Sequence, residues 1–112
     1  MILLIVDDNS ETRRLIKTIV RKISDAVFEC EDGDEVLEAF DKHHPDWVLM
    51  DMEMPRMDGL TATKQVLANF PSARILMVTQ YDDSKLREAA REAGAINYLL
   101  KENLMDLRQL LV

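Results

Sequence analysis

The sequence has one cysteine, three prolines and three glycines among its 112 residues. Cys30 has no second cysteine in the chain with which to form a disulfide, and this is typical of proteins in a reducing cytoplasm. So few prolines and glycines leave no room for a long flexible linker. The composition therefore predicts a single folded domain over residues 1–112, which is close to the commonest domain length.

Long hydrophobic runs and a surplus of positive charge are also absent. The longest apolar run, Met1 to Val6, has six residues, whereas a membrane-spanning helix needs about 20. The first residues lack the basic, apolar and small-residue regions of a signal peptide, so we expect a cytoplasmic protein with no membrane contact. Because 21 acidic residues face 14 basic ones, the net charge of −7 disfavours direct nucleic-acid binding and suits cations or basic partners. Solubility alone would also explain this surplus, so the positions of the acids matter more than their number.

Short apolar runs alternate with amphipathic segments along the chain. The runs predict five strands, at Ile2–Val6, Ala26–Cys30, Trp47–Met50, Ile75–Val78 and Ile96–Leu100. The intervening helices carry apolar stripes at Leu15, Ile16, Ile19, Val20 and Ile23, at Val36, Leu37 and Phe40, and at Leu60, Thr63, Val66, Leu67 and Phe70. A fourth helix, Ser84–Ala93, has little to bury and should pack most weakly, with Gly94 ending it, and a short last helix is expected at about Asn103–Leu111.

This alternation predicts an α/β fold with a parallel sheet covered by helices on both faces. Glu29 in the second run and Asn97 in the fifth suit exposed edge strands. The pattern is compatible with the flavodoxin-like (βα)5 fold, a doubly wound parallel sheet with strand order 2-1-3-4-5. Right-handed crossovers then place helices 1 and 5 on one face and helices 2, 3 and 4 on the other.

Polar residues follow the strands that are predicted to meet at one edge of the sheet. Asp7 and Asp8 follow the first strand, Asp51 the third, Thr79 the fourth and Lys101 the fifth. Ligands of open α/β sheets bind at this edge, where the strand order reverses. Carboxylates that converge there need a cation, and oxygen ligands favour Mg²⁺, with Mn²⁺ as the alternative.

An Asp carboxylate can accept a phosphoryl group as a nucleophile, and an ammonium and a hydroxyl can bind the phosphoryl oxygens. The pattern therefore predicts an aspartyl-phosphate site at Asp51, with Lys101 and Thr79 beside it. Each residue also has a simpler interpretation: Asp8 could cap helix 1, Asp51 could cap a turn, Thr79 could end a strand and Lys101 could be a solvated charge. Their convergence at one edge favours the shared site over four unrelated roles.

On these residues the sequence resembles the receiver domains of two-component response regulators. The segment Met1–Asp8 is similar to the family's first strand and acidic pair, and Asp51–Gly59 to its phosphoacceptor loop. Thr79 and Lys101 stand where the family has its hydroxyl and its lysine, and Tyr98 where it has a switch aromatic. The resemblance extends over nearly the whole chain, so the domain over 1–112 is expected to be a receiver domain.

The resemblance implies that Asp51 is phosphorylated by a cognate histidine kinase or phosphotransfer protein. It implies that Mg²⁺ is held by Asp7 (through water), Asp8, Asp51 and the backbone carbonyl of Glu53. Thr79 and Lys101 would contact the phosphoryl group. The movement of Thr79 toward Asp51 would open space into which Tyr98 turns as a switch. The surface of helix 4, strand 5 and helix 5 would then control a C-terminal DNA-binding domain outside this chain, or a phosphorylation-enhanced homodimer.

The segments Thr79–Asp83 and Tyr98–Glu102 are most similar to receivers joined to LuxR-type helix-turn-helix domains. Two residues depart from the family pattern. Glu102 replaces the proline that usually follows the lysine, so the Lys101–Glu102 peptide bond is predicted to be trans. Gln80 replaces a small residue and is expected to narrow access to the phosphoryl group.

Two other functions compete with a phosphorylation-dependent signalling module that is not an enzyme. One is a haloacid-dehalogenase-like phosphatase, which also uses Asp, Mg²⁺, Thr and Lys. That class has its nucleophile after the first strand and a second Asp two residues later, whereas Glu53 stands two residues after Asp51 here. The other is an adaptor that works without phosphorylation, and the complete set of site residues disfavours it.

Overall fold

The computed structural model describes residues 1–111. The strands are β1 (Ile2–Val6), β2 (Ala26–Cys30), β3 (Trp47–Asp51), β4 (Ile75–Thr79) and β5 (Asn97–Leu100). The α-helices are α1 (Ser10–Val20), α2 (Val36–His43), α3 (Gly59–Asn69), α4 (Ser84–Ala93) and α5 (Leu107–Leu110). Short 3₁₀ segments at Gly33–Glu35 and Lys101–Asp106 precede α2 and α5.

Within residues 1–111 the strands form one parallel sheet in the order β2-β1-β3-β4-β5, as predicted. Every residue of β3 and β4 is buried, because both strands are central and covered on both faces. Glu29 and Asn97 are exposed on the two edge strands, which confirms the argument from polarity. The predicted strands are right to within one residue at each end, and β3 and β4 extend one residue further to include Asp51 and Thr79.

Two separate hydrophobic cores lie on the two faces of the sheet. One core packs α2, α3 and α4 against the sheet, around Val36, Val66 and Ala90. The other packs α1 and α5, around Ile16 and Leu107. This division confirms the predicted placement of the helices and follows from right-handed crossovers.

Two details of the predicted helices are wrong. Leu15 is 49% exposed, because the buried stripe of α1 runs through Arg13, Ile16 and Val20, and one residue along a helix turns the side chain by about 100°. The predicted last helix over Asn103–Leu111 is broken. Asn103 has non-helical backbone angles, so the chain forms a 3₁₀ segment first and only one α-helical turn after it.

Helix α4 is held to the domain by small side chains, as predicted. It buries Ala90 and Ala93, and Leu86 is only partly covered. Gly94 ends the helix in the left-handed conformation (φ 109°), where a side chain would be strained. None of the helices in the described part of the chain is long and apolar enough to cross a membrane.

Candidate functional site

Three carboxylates meet at the carboxyl edge of the sheet, as the sequence predicts. Val6 pairs with Met50 in the β1–β3 register, so Asp7 and Asp51 follow on neighbouring strands. Carboxylate oxygens of Asp7, Asp8 and Asp51 lie within 4.8 Å of one another. Asp7 and Asp51 are buried, whereas Asp8 is exposed. An all-oxygen cluster with one solvent-facing member fits Mg²⁺, which keeps several of its water ligands.

The carboxylate of Asp8 is free to face this cluster because the neighbouring residue caps α1. Asn9 Oδ1 accepts hydrogen bonds from the backbone N–H of Glu11 (2.9 Å) and of Thr12 (3.2 Å). The interpretation of Asp8 as the helix cap is therefore wrong. Asn9 caps the helix, whereas Asp8 belongs to the carboxylate cluster.

Lys101 joins two of the three acids. Its Nζ lies 2.9 Å from Asp7 Oδ2 and 3.2 Å from Asp51 Oδ1. Burial alone would lower the pKa of Lys101, but the hydrogen bond with Asp7 and the charge of Asp51 outweigh burial, and the pKa is raised. Lys101 is therefore a fixed positive charge and not a solvated surface lysine.

The local balance of charge at Asp51 remains unfavourable despite this lysine. Burial raises the pKa of Asp51, the nearby charge of Asp7 raises it further, and Lys101 offsets part of this rise, so that the pKa is about 6. A cation beside Asp51 would relieve this repulsion. The electrostatics of the site thus agree with its oxygen donors in favouring a divalent metal.

An open cavity of about 520 Å³ lies over the cluster. Its lining includes Asp7, Asp8, Asn9, Asp51, Glu53, Met54, Pro55, Asp58, Gln80, Tyr81 and Lys101. Exposed Gln80 is part of this lining, and its expected effect on access to a phosphoryl group stays a prediction. Gly59 starts α3 directly against the end of β3, and a Cβ at this position would collide with the Asp51 carbonyl oxygen. The glycine therefore permits the close approach of α3 to Asp51.

The hydroxyl of Thr79 is engaged beside the cavity. Thr79 is 1% exposed and does not belong to the cavity lining given above. Its Oγ1 accepts a hydrogen bond from the backbone N–H of Tyr81 (3.2 Å). The hydroxyl is the acceptor in this bond, and the predicted contact of Thr79 with a phosphoryl group stays a prediction.

Tyr98 is already turned inward in the structure. Its side chain is buried, and its hydroxyl donates a hydrogen bond to the backbone carbonyl of Tyr81 (2.6 Å). Burial is the main cause of its raised pKa. The guanidinium of Arg87 from α4 lies 4.5 Å above the ring. The structure therefore has Tyr98 in an inward position, and its proposed role as a switch stays a prediction.

Sequence reasoning missed the residue that anchors the loop after Asp51. Asp32 is buried, and its carboxylate accepts hydrogen bonds from the backbone N–H groups of Arg56 (2.9 Å) and Met57 (2.8 Å). Burial would raise the pKa of Asp32, but these N–H donors outweigh it, and the pKa is lowered. The Arg56 guanidinium adds ion pairs to Asp34 and Glu35. The turn after β2 thus holds the loop that shapes the cavity.

Arg13 supports the acidic pair from the other side. It is a largely buried arginine within the stripe of α1, where the pattern predicted only apolar side chains. Its Nη1 donates to the Asp7 backbone carbonyl (2.6 Å), and its Nε donates to Glu29 (2.9 Å). A charged residue at a stripe position is the signal that could have revealed this role.

Comparison with known proteins finds similarity along nearly the full length of the chain. The model of the response regulator receiver domain family matches residues 3–111. The chemotaxis protein CheY of Bacillus subtilis (strain 168) is 38% identical over 100 residues, which cover 88% of this chain and 83% of CheY. The transcriptional regulatory protein DegU of Brevibacillus brevis is 32% identical over 102 residues, which cover 89% of this chain but only 43% of DegU. The crystal structure of a LuxR-family two-component response regulator from Aurantimonas sp. SI85-9A1 has a TM-score of 0.87 at 26% identity, covering 98% of this chain and 84% of that one.

Proposed function

The chain belongs to the receiver domain family of response regulators, and from this premise we propose that it is a phosphoacceptor switch in a two-component phosphorelay. The receiver domain comprises residues 1–112 in this proposal, of which Val112 lies outside the described residues. A cognate histidine kinase or phosphotransfer protein of the cytoplasm donates the phosphoryl group to Asp51. The observation that carries the proposal is the meeting of the Asp7, Asp8 and Asp51 carboxylates with the Lys101 ammonium under one open cavity.

The residues of the site have distinct roles in this reaction. An oxygen of the ionised Asp51 carboxylate bonds to phosphorus, and the bond from phosphorus to the donor breaks. Lys101 is a fixed positive charge within reach of the same carboxylate and would stabilise the negative charge of the transferred group. Mg²⁺ would be held by Asp7, Asp8, Asp51 and the Glu53 carbonyl, and it supplies neutralisation of the phosphoryl oxygens. Thr79 is the proposed additional donor to these oxygens.

The test is phosphorylation by a small donor such as acetyl phosphate, followed by intact mass. We expect one phosphoryl group on the unmodified chain in the presence of Mg²⁺ and none on Asp51→Asn, because the nucleophile is then missing. The reaction should also fail when Mg²⁺ is removed and be strongly reduced in Asp8→Ala. Asp41→Asn, which changes an exposed acid on α2, is the matched control and should label normally.

Equal labelling of Asp51→Asn would contradict the assignment of the phosphoacceptor. Steady turnover of a generic phosphate ester would favour the phosphatase that competes with this proposal. Full partner binding by Asp51→Asn, with no effect of phosphorylation on the unmodified chain, would instead favour an adaptor.

We propose further that phosphorylation alters the surface formed by α4, β5 and α5. Helix α4 is anchored by alanines and by the stacking of Arg87 on Tyr98, so it is the element most easily displaced. Thr79 and Tyr98 both bond to the backbone of Tyr81, which links the end of β4 to the edge strand β5. The proposed recipient is a C-terminal DNA-binding domain, since the similar DegU extends well beyond the matched region. A phosphorylation-enhanced homodimer is the other candidate.

Beryllofluoride, which mimics a phosphoryl group, tests this transmission. We expect it to change amide exchange within residues 82–101 and to change self-association, because a movement of Thr79 toward the mimic would be passed to the backbone of Tyr81, to which Thr79 and Tyr98 both bond. Both responses should weaken in Thr79→Ala and Tyr98→Phe. The route is wrong if neither response occurs in the unmodified protein, or if both variants respond fully while still binding the mimic.

A further inference from the structure

Every polar group of the buried Asp7 has a hydrogen-bond or ion-pair partner. Its N–H donates to the Cys30 carbonyl (3.1 Å), and its Oδ1 accepts from the N–H of Asn9 (2.9 Å). Its Oδ2 lies 2.9 Å from Lys101 Nζ, and its carbonyl accepts from Arg13 Nη1 (2.6 Å). The partners lie on or next to β2, β5 and α1, so the end of β1 is fixed to three other elements. Arg13 is the one that holds the main-chain carbonyl.

The bond from Arg13 also fixes the peptide group that leads to Asp8. The carbonyl that accepts this bond shares one planar peptide unit with the Asp8 N–H. Asp8 is the exposed member of the carboxylate cluster, and exposed side chains change rotamer within nanoseconds. A ligand whose backbone is fixed in advance has less freedom to lose when it binds a cation. Arg13 is thus placed to favour cation binding through the backbone.

We propose that Arg13 is a positioning residue of the Mg²⁺ site: it holds the backbone between Asp7 and Asp8 and thereby raises the affinity of the carboxylate cluster for Mg²⁺. The inference rests on the proposed function, because it concerns the cation of the same phosphoacceptor site. Groups that orient the ligands of a metal from outside typically change its affinity by about 10–100-fold.

The charge of Arg13 acts in the opposite direction, since a guanidinium repels a nearby cation. This charge is balanced by carboxylates on the side away from the cluster. Arg13 Nε lies 2.9 Å from Glu29 Oε1, and Arg13 Nη2 lies 3.7 Å from Glu31 Oε1. Lys17 Nζ lies 3.0 Å from the other oxygen of Glu29, so two cations face two carboxylates. With the charges balanced, the position of the backbone is the main contribution of Arg13 to the site.

The opposite signs make the proposal testable by calorimetric titration of Mg²⁺ into the unphosphorylated protein. We expect the Kd of Arg13→Met for Mg²⁺ to rise about tenfold, and that of Arg13→Lys, which keeps a charge and a donor, to lie between. Arg14→Met changes an exposed arginine of the same helix and is the matched control. Tighter binding by Arg13→Met would mean that charge alone acts and would overturn the proposal. An unchanged Kd with a lower free energy of unfolding would overturn it as well, because Arg13 would then only stabilise the fold.

The variant Glu29→Gln separates charge from position by its salt dependence. It removes the balancing carboxylate and leaves the bond from Arg13 to Asp7 in place. Its Kd for Mg²⁺ should exceed that of the unmodified protein at low salt and approach it at about 0.5 M salt, where exposed charges are screened. The weakening in Arg13→Met and Arg13→Lys should persist there. If Arg13→Met does not fold, equal affinities of Arg13→Lys and Glu29→Gln at high salt would overturn the proposal.

Phosphorylation by acetyl phosphate distinguishes this inference from the proposed function. Arg13→Met should need about tenfold more Mg²⁺ for its half-maximal rate and reach nearly the unmodified rate at saturating Mg²⁺, because Asp51 and Lys101 are unchanged. An equal Mg²⁺ requirement in both proteins would overturn the role of Arg13 while Asp51 remains the phosphoacceptor. If the unmodified chain neither binds Mg²⁺ nor accepts a phosphoryl group, the proposed function is wrong and the role of Arg13 with it.

Discussion

The variant Asp51→Asn should be more stable than the unmodified protein at pH 7 without divalent cations. Folding raises the pKa of Asp51 from 3.8 to about 6, chiefly through burial and then through the charge of Asp7. This shift makes the ionised carboxylate unfavourable in the folded protein by about 3 kcal/mol. Asparagine has nearly the shape of the protonated acid and carries no charge, so it removes the penalty.

The sign of the pH dependence follows from the raised pKa. Below pH 3.8 Asp51 is protonated in both states and the penalty is absent. It grows as the pH rises from 3.8 to about 6 and is complete above that, so the unmodified protein loses stability across this window relative to the variant. Urea unfolding of both proteins between pH 4 and 7.5 measures the difference. A variant that is less stable at pH 7, or a difference independent of pH, would contradict the prediction.

Magnesium should reduce the difference in stability between Asp51→Asn and the unmodified protein. A cation bound by the folded state alone stabilises that state by mass action. The unmodified protein should therefore gain stability with millimolar Mg²⁺, and Asp51→Asn should gain less, because it lacks one of the proposed ligands. A bound cation would thus offset the unfavourable free energy of the ionised Asp51 carboxylate in the metal-free folded protein.

The fold could be predicted from the sequence because the presence or absence of polar residues in each strand indicates whether it lies at the edge or in the centre of the sheet. The β3 and β4 segments are apolar up to their last residues, Asp51 and Thr79, and are buried throughout. Glu29 and Asn97 mark the edges of the sheet. The topology then brings the residues after each strand to one edge, so the convergence of Asp7, Asp8, Asp51 and Lys101 needed no knowledge of distances.

The remaining features depend on contacts between loops, for which periodicity carries no information. Asp32 binds backbone N–H groups of residues 24 and 25 positions later, and main-chain donors leave no mark in the sequence. The hydrogen bond from the Tyr81 hydroxyl to the Glu53 carboxylate likewise spans 28 positions. The break in the last helix arises from the local conformation of Asn103, which a stripe of leucines does not reveal.

The variant Lys101→Met should show the opposite change in stability to Asp51→Asn. Lys101 Nζ contacts both Asp7 Oδ2 (2.9 Å) and Asp51 Oδ1 (3.2 Å), and both acids are buried. Removing one partner of a buried ion pair while the other stays costs about 3–5 kcal/mol. We expect a loss of this order at pH 7 without metal, measured by urea unfolding. Lys64→Met, which changes an exposed lysine on α3, is the control and should lie within about 0.5 kcal/mol of the unmodified protein.

Combining Asp51→Asn with Lys101→Met shows whether the stability lost in Lys101→Met comes from the missing charge or from missing packing. In the Asp51→Asn background, Lys101→Met leaves only Asp7 without an ammonium partner. The loss of unfolding free energy caused by Lys101→Met should therefore be smaller there by at least about 1 kcal/mol. Lowering the pH to 4.5 should also reduce the cost, because Asp51, with its pKa of about 6, is then mostly protonated. An equal cost in both backgrounds would mean that Lys101 stabilises the domain through its packing. In that case the charge of Lys101 would not be what stabilises the buried Asp51 carboxylate in the folded protein.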